Sequence, residues 1–119
     1  MANHVTHFEI LVANDAETAW KFYADVFGWK INHDNPMNYG LVDTGGGIGG
    51  GIGKAMDGKN HTTFYVEVDD PQAMLDRAEK AGGKTLMPPM DVPGGMVRIA
   101  TFSDPAGNEI GLVKDLTKK

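Results

Sequence analysis

Hydrophobic and polar residues alternate from the start of the chain. In Val5–Val12, Phe8, Ile10 and Val12 share one face, and His7 and Glu9 share the other. That period of two predicts a strand with one apolar side. Asn14 then stands as a helix cap, with Glu17 three residues later to complete a capping box. Ala16, Ala19, Trp20, Tyr23, Val26 and Phe27 recur at helical spacing, and Gly28 follows where a helix should end. The same rhythm returns from His61. Phe64, Val66 and Val68 alternate, Asp70 caps, Pro71 takes the first helical position, and Met74, Leu75, Ala78 and Ala81 form an apolar stripe before Gly82. Gly28 lies 16 positions after Val12, and Gly82 lies 14 after Val68, so the second pass shortens the connection by two.

Each helix is followed by three short strand-like pieces. In the first half they are 29–33, 39–44 and about 48–54; in the second they are 84–87, 96–103 and 108–114. Asp104-Pro105-Ala106-Gly107 is a turn between the last two, and Asp57-Gly58 is a turn before the second half. Residues 45–53 hold seven glycines in nine positions. They form either a flexible loop or a strand whose bare backbone lets something approach closely. No Gly-Lys-Ser/Thr follows, so this is not a phosphate loop. The expected fold is α+β: two tandem β-α-β-β-β modules, about 4–55 and 60–115, in one domain over 1–119. Paired edge to edge, such modules make a curved mixed sheet around a concave cavity, where ligand sites tend to lie.

Composition narrows the partners. A chain of 119 residues, 41% hydrophobic and 23% charged, suits one soluble domain. No apolar run approaches the roughly 20 residues that span a bilayer, and 1–6 lacks the pattern of a signal peptide. Cysteine is absent, which removes disulfide and thiolate chemistry and agrees with a reducing, cytoplasmic compartment. The net charge is −5 and the 11 Lys and Arg are scattered, so neither nucleic acid nor a membrane is an expected partner. Lys118-Lys119 reads as a solvated tail.

Five segments carry a resemblance over nearly the whole chain. They are Val5-Thr6-His7-Phe8-Glu9-Ile10, Phe22-Tyr23-Ala24-Asp25-Val26-Phe27-Gly28-Trp29, Val66-Glu67-Val68-Asp69-Asp70, Ala81-Gly82-Gly83-Lys84 and Phe102-Ser103-Asp104-Pro105-Ala106-Gly107-Asn108. In this order they resemble the vicinal oxygen chelate superfamily of glyoxalases, bleomycin-resistance proteins and extradiol dioxygenases. The resemblance implies the double-module fold. It also implies a divalent metal held by His, Glu or Gln from the first, fourth, fifth and eighth strands, acting as a Lewis acid on two substrate oxygens. Carried onto this chain, His7 falls on the first-strand ligand position and Thr63 on the fifth-strand one. Gly111 falls on the eighth-strand position, and the fourth-strand position falls in the glycine run. One member of the usual set survives, so no metal is expected. A shifted set of His7, His61 and Glu109 is the alternative. The first and last strands of a module are expected to run antiparallel, and stepping back two residues along both would then carry His61 and Glu109 apart.

The expected function is binding of a small organic ligand in the cup, lined by His7, Glu9, Trp29, Thr63, Tyr65, Glu67, Met96 and Glu109. The rivals are a metal-dependent lyase, isomerase or dioxygenase whose ligands include His7, and a drug-sequestering resistance protein. His7 is either a hydrogen-bonded cavity histidine or a ligand. Glu9 and Glu67 are either general bases or solvated rim residues. Trp29 is either core or cup lining. His61, beside Asn60 at a strand start, is expected to be exposed, while Trp20, Tyr23 and Phe27 are expected in the core. Met87, Met90 and Met96 are gap filler or an adaptable lining. The Asp91–Gly95 loop resembles one that approaches the cavity mouth in the superfamily. Members of this fold often pair, so a homodimer is expected, with each cup formed within one chain or by exchange between two.

Overall fold

The computed structural model describes residues 3–35 and 37–117, and the Lys118–Lys119 tail lies outside them. The elements run β1 (Val5–Val12), α1 (Ala16–Phe27), β2 (Lys30–Asn32), β3 (Gly40–Asp43), β4 (Gly49–Lys54), β5 (His61–Glu67), α2 (Pro71–Lys80), β6 (Lys84–Asp91), β7 (Val97–Ser103) and β8 (Glu109–Asp115). This is the α+β chain of two β-α-β-β-β modules that the repeated rhythm predicts. Two compact units contain it, residues 6–63 and residues 1–5 with 64–119, so the division falls inside β1 and β5. Among the described residues no helix is long and apolar enough to cross a membrane.

In the unit of residues 6–63 the strands lie in the order β2-β3-β4-β1. Short connections make β2, β3 and β4 an antiparallel run, and β4 lies parallel to β1. The second unit repeats this as β5-β8-β7-β6, with β5 and β8 parallel. The expectation that first and last strands run antiparallel is therefore wrong. A strand-helix-strand crossover preserves direction, and the two reversals that follow restore it.

Local signals set most boundaries. Asp15, not Asn14, caps α1: it stays extended, and its Oδ1 accepts from Glu17 N–H at 3.0 Å. The helix begins one residue later than the capping-box spacing implied. Gly28 ends it in the left-handed region, φ 72°, with its N–H bonded to the Ala24 carbonyl. Asp70 and Pro71 open α2 as expected, Asp70 Oδ1 accepting from Ala73 N–H at 3.2 Å. Strand β6 extends past the expected 84–87 and through Pro88-Pro89 to Asp91. It lies at the edge of its sheet, and its register with β7 shifts between Thr85 and Met87 and again between Met87 and Met90. Proline has no N–H to give the ladder, so the strand continues only by skipping it.

Each unit has its own core. Ala16, Trp20, Val42 and Ile52 are buried in the first, with Phe8, Ile10, Val12, Tyr23 and Trp29 packed on them. The Trp20 indole N–H donates 2.8 Å to the Ile52 carbonyl, so the ring is buried with its polar atom satisfied. Val68, Leu75, Ala100 and Leu112 form the second core, backed by Val66, Met74 and Phe102. Because Phe8, Ile10 and Val12 face the core under α1, alternation sends His7 and Glu9 to the opposite face of β1.

Candidate functional site

The glycine run is half strand. Residues 49–54 are β4, and β1 lies beside it with His7 opposite Gly49, Glu9 opposite Gly51 and Leu11 opposite Gly53. Beside His7 and Glu9, β4 therefore presents bare backbone. Tyr39, the residue before β3, lays its ring there. A Cβ on Gly51 would overlap the Tyr39 Oη and Cζ, and one on Gly53 would come within 2.8 Å of its Cδ1. Asn35 pins the tyrosine backbone from both sides, donating 2.7 Å to its carbonyl and accepting 3.1 Å from its N–H. Asn38, just before the tyrosine, takes a left-handed φ of 52° that asparagine tolerates.

The tyrosine hydroxyl joins two polar side chains. It donates to Glu9 Oε2 at 2.8 Å, and His7 Nε2 lies 3.3 Å from the hydroxyl oxygen itself. With its proton given to the carboxylate, the hydroxyl accepts from histidine, which assigns the His7 proton to Nε2. Burial holds the imidazole below its ordinary pKa of 6.5, although the charge of Glu9 pulls the other way. The result is a half-buried chain from a neutral imidazole N–H through a phenol to a carboxylate. Such a chain presents acceptor oxygens to a ligand and is able to pass a proton along its length.

The other expected residues fall as follows. Thr63 is buried in β5, and the buried Tyr65 ring covers its register partner Gly111, where a Cβ would come within 2.5 Å of Tyr65 Cε2. Glu67 is half-buried at the end of β5, its N–H donating 2.7 Å to the His4 carbonyl. Glu109 is half-buried at the start of β8, opposite Ser103. His61 is half-buried, not exposed, and Met96 is 63% exposed. Trp29 packs with Phe8, Tyr23 and Phe27 at ring separations of 5.5, 5.8 and 4.8 Å, so it belongs to the first core and not with His7 and Glu9. At the end of β6, Asp91 pairs with Arg98 at 2.6 Å, and that hydrogen bond lowers the Asp91 pKa. Of the expected residues, His7 and Glu9 are brought together, and the residue that joins them is one that sequence reasoning missed. The signal for Tyr39 was the bare strand itself, which needs a cover from elsewhere in the chain.

The donors do not suit a divalent metal of the kind the resemblance implies. Among the described residues no three His, Asp or Glu side chains are placed to hold one. Gly111 in β8, on the eighth-strand position, lies under the Tyr65 ring, and within the glycine run of β4 Tyr39 lies over Gly51. Thr63 offers only a neutral hydroxyl. The parallel run of β5 and β8 removes the ground for setting His61 and Glu109 apart. The set of His7, His61 and Glu109 thus stands as the alternative, and it draws no ligand from the glycine run.

The profile of the Glyoxalase/Bleomycin resistance protein/Dioxygenase superfamily matches residues 2–112. CFP32 of Mycobacterium bovis, which carries the name of a glyoxylase, is 30% identical over 112 residues, covering 86% of this chain and 42% of that protein. The chain thus spans about two-fifths of the length of that relative. A glyoxylase-like domain-containing protein of Didymella fabae is 32% identical over 105 residues, covering 81% of this chain and 82% of its own. Among solved structures, the methylmalonyl-CoA epimerase of Mycobacterium tuberculosis matches with a TM-score of 0.69 at 18% identity, covering 93% of this chain and 87% of that one. At that identity the likeness is one of fold.

Proposed function

Because this chain belongs to the Glyoxalase/Bleomycin resistance protein/Dioxygenase superfamily, we propose that it binds a small, oxygen-bearing organic ligand at the His7–Tyr39–Glu9 cluster without the superfamily's divalent metal. The observation that carries this reading is the Tyr39 ring on Gly51 and Gly53, with its hydroxyl on Glu9. It commits the carboxylate on β1 to a hydrogen bond and covers the strand on which the superfamily's next ligand would stand. Three polar groups of different character then remain in one place: an imidazole N–H, a phenolic oxygen and a carboxylate. A ligand bearing a hydroxyl group finds acceptor oxygens there.

Metal content of the purified protein tests the proposal, together with a thermal-shift scan against Ni, Zn, Mn and Fe(II). We expect no stoichiometric metal and no stabilisation. Metal bound at one per chain and lost in His7→Ala would overturn the proposal and favour the metal-dependent lyase, isomerase or dioxygenase. Ligand screening by thermal shift then follows, and hits are expected to be lost in Tyr39→Phe and Glu9→Gln. Hits confined to cationic glycopeptide drugs would favour the sequestering protein instead.

A further inference from the structure

The two modules fill the space beneath their helices differently. Counted from the caps Asp15 and Asp70, Trp20 corresponds to Leu75, both buried, and Tyr23 corresponds to Ala78. Counted from the glycines after each helix, Gly28 and Gly82, Trp29 corresponds to Gly83. In the first unit the Tyr23 and Trp29 rings stack at 5.8 Å with planes 16° apart and pack on the core. In the second unit an alanine and a glycine stand at those positions. A depression of about 380 Å³ opens there, walled by Val66, Val68, Met74, Ala78, Phe102 and Leu112, with Gly83 also lining it. The chain does not fill this space from position 83, because a Cβ there would lie 2.5 Å from the Ser103 carbonyl oxygen.

Two charged residues also line the depression, Arg77 and Asp104. Asp104 is committed to its own turn, accepting from Ala106 N–H, Asn108 N–H and the Asn108 side-chain amide at 2.9 Å each. Those bonds, the Asn108 side chain first, hold its pKa low. The Arg77 guanidinium makes no hydrogen bond or ion pair with the described residues. The wall thus combines an apolar slot, filled by aromatic rings in the sister module, with one uncommitted fork-shaped cation. We propose that this depression is a small-molecule site distinct from the His7 cluster, and that it takes a flat aromatic carboxylate. The ring occupies the space that Tyr23 and Trp29 fill in the first module, and the carboxylate pairs with Arg77.

The test is a titration of the whole protein with 2-naphthoate, followed by two-dimensional NMR. Saturable shifts are expected at Met74, Ala78, Gly83 and Phe102. Ala78→Phe, which supplies the missing ring from the protein, is expected to abolish them. Arg77→Gln, a change on the exposed side of α2, is expected to weaken naphthoate about tenfold and to leave the neutral 2-naphthalenemethanol unchanged. His7→Ala is expected to leave both affinities as they are. Absence of saturable shifts at these residues would overturn the proposal. So would equal naphthoate affinity in Arg77→Gln and the parent, or loss of the shifts in His7→Ala. The arginine variant decides the matter even if the phenylalanine variant fails to fold.

Discussion

Tyr39 and Gly51 act as a pair. The ring lies where a Cβ on Gly51 would stand, so the glycine keeps the Glu9 hydrogen bond in place as much as the tyrosine does. Gly51→Ala should displace the ring and cost about 1–3 kcal/mol of stability, as overpacking does. Tyr39→Phe keeps the packing and loses only the hydroxyl, so its cost should be smaller. Urea midpoints of the two variants compare these directly, and a Gly51→Ala protein as stable as the parent would sink the account. His7 makes a pH prediction. Its folded pKa lies below the ordinary 6.5 because burial opposes the charge, with Glu9 and Tyr39 among the polar groups facing it. Between the folded and ordinary values the unfolded chain binds more protons, so stability rises with pH through that window. Its contribution is complete above about pH 6.5 and is lost as pH falls toward the folded value. Urea midpoints at about pH 5 and pH 8 should differ more for the parent than for His7→Gln.

At the level of elements, caps and prolines act over a few residues and were mostly readable. The exception at α1 is instructive, because Asn14 and Asp15 are both good caps and the spacing to Glu17 favoured the first. The hydrogen bond from Glu17 N–H goes to Asp15, and Thr18 Oγ1 adds a second at 3.2 Å. Asp15→Ala should therefore cost about 1 kcal/mol, while Asn14→Ala should cost only a few tenths. Thermal midpoints of the two variants measure this, and the reverse order would return the cap to Asn14. Strand β6 shows the opposite failure of local reading. Pro88-Pro89 looks like a stop, but at a sheet edge the missing N–H groups cost only the slip of register between Met87 and Met90.

On the scale of the molecule, each unit has a separate core, and the division between units runs inside β1 and β5. Neither half of the chain is able to unfold without disturbing a strand that the division cuts. We therefore expect a single cooperative transition. Trp20 and Trp29 both lie in residues 6–63, so tryptophan fluorescence reports one unit and far-ultraviolet circular dichroism reports both. Leu75, 1% exposed in the other core, should cost about 2–5 kcal/mol when cut to alanine. That loss should appear equally in both signals. A shift seen by circular dichroism alone would mean that the halves unfold separately.

The amino-acid pattern by itself determined the two-fold rhythm, the helices and their caps to within a residue, the apolar row of β1 and hence the side on which His7 and Glu9 stand. These follow from periods of 2 and 3.6 residues and from turn chemistry, all of which act within a few positions. Tertiary structure alone decided the parallel pairing of first and last strands, the place of Trp29 in the core and the role of Tyr39. Tyr39 lies 30 positions from Glu9 and 32 from His7 along the chain, and no local pattern links them. They meet because β4 lies beside β1 and its glycines leave room for the ring. A strand without side chains announces in the sequence that something covers it, and only the folded chain shows which residue does.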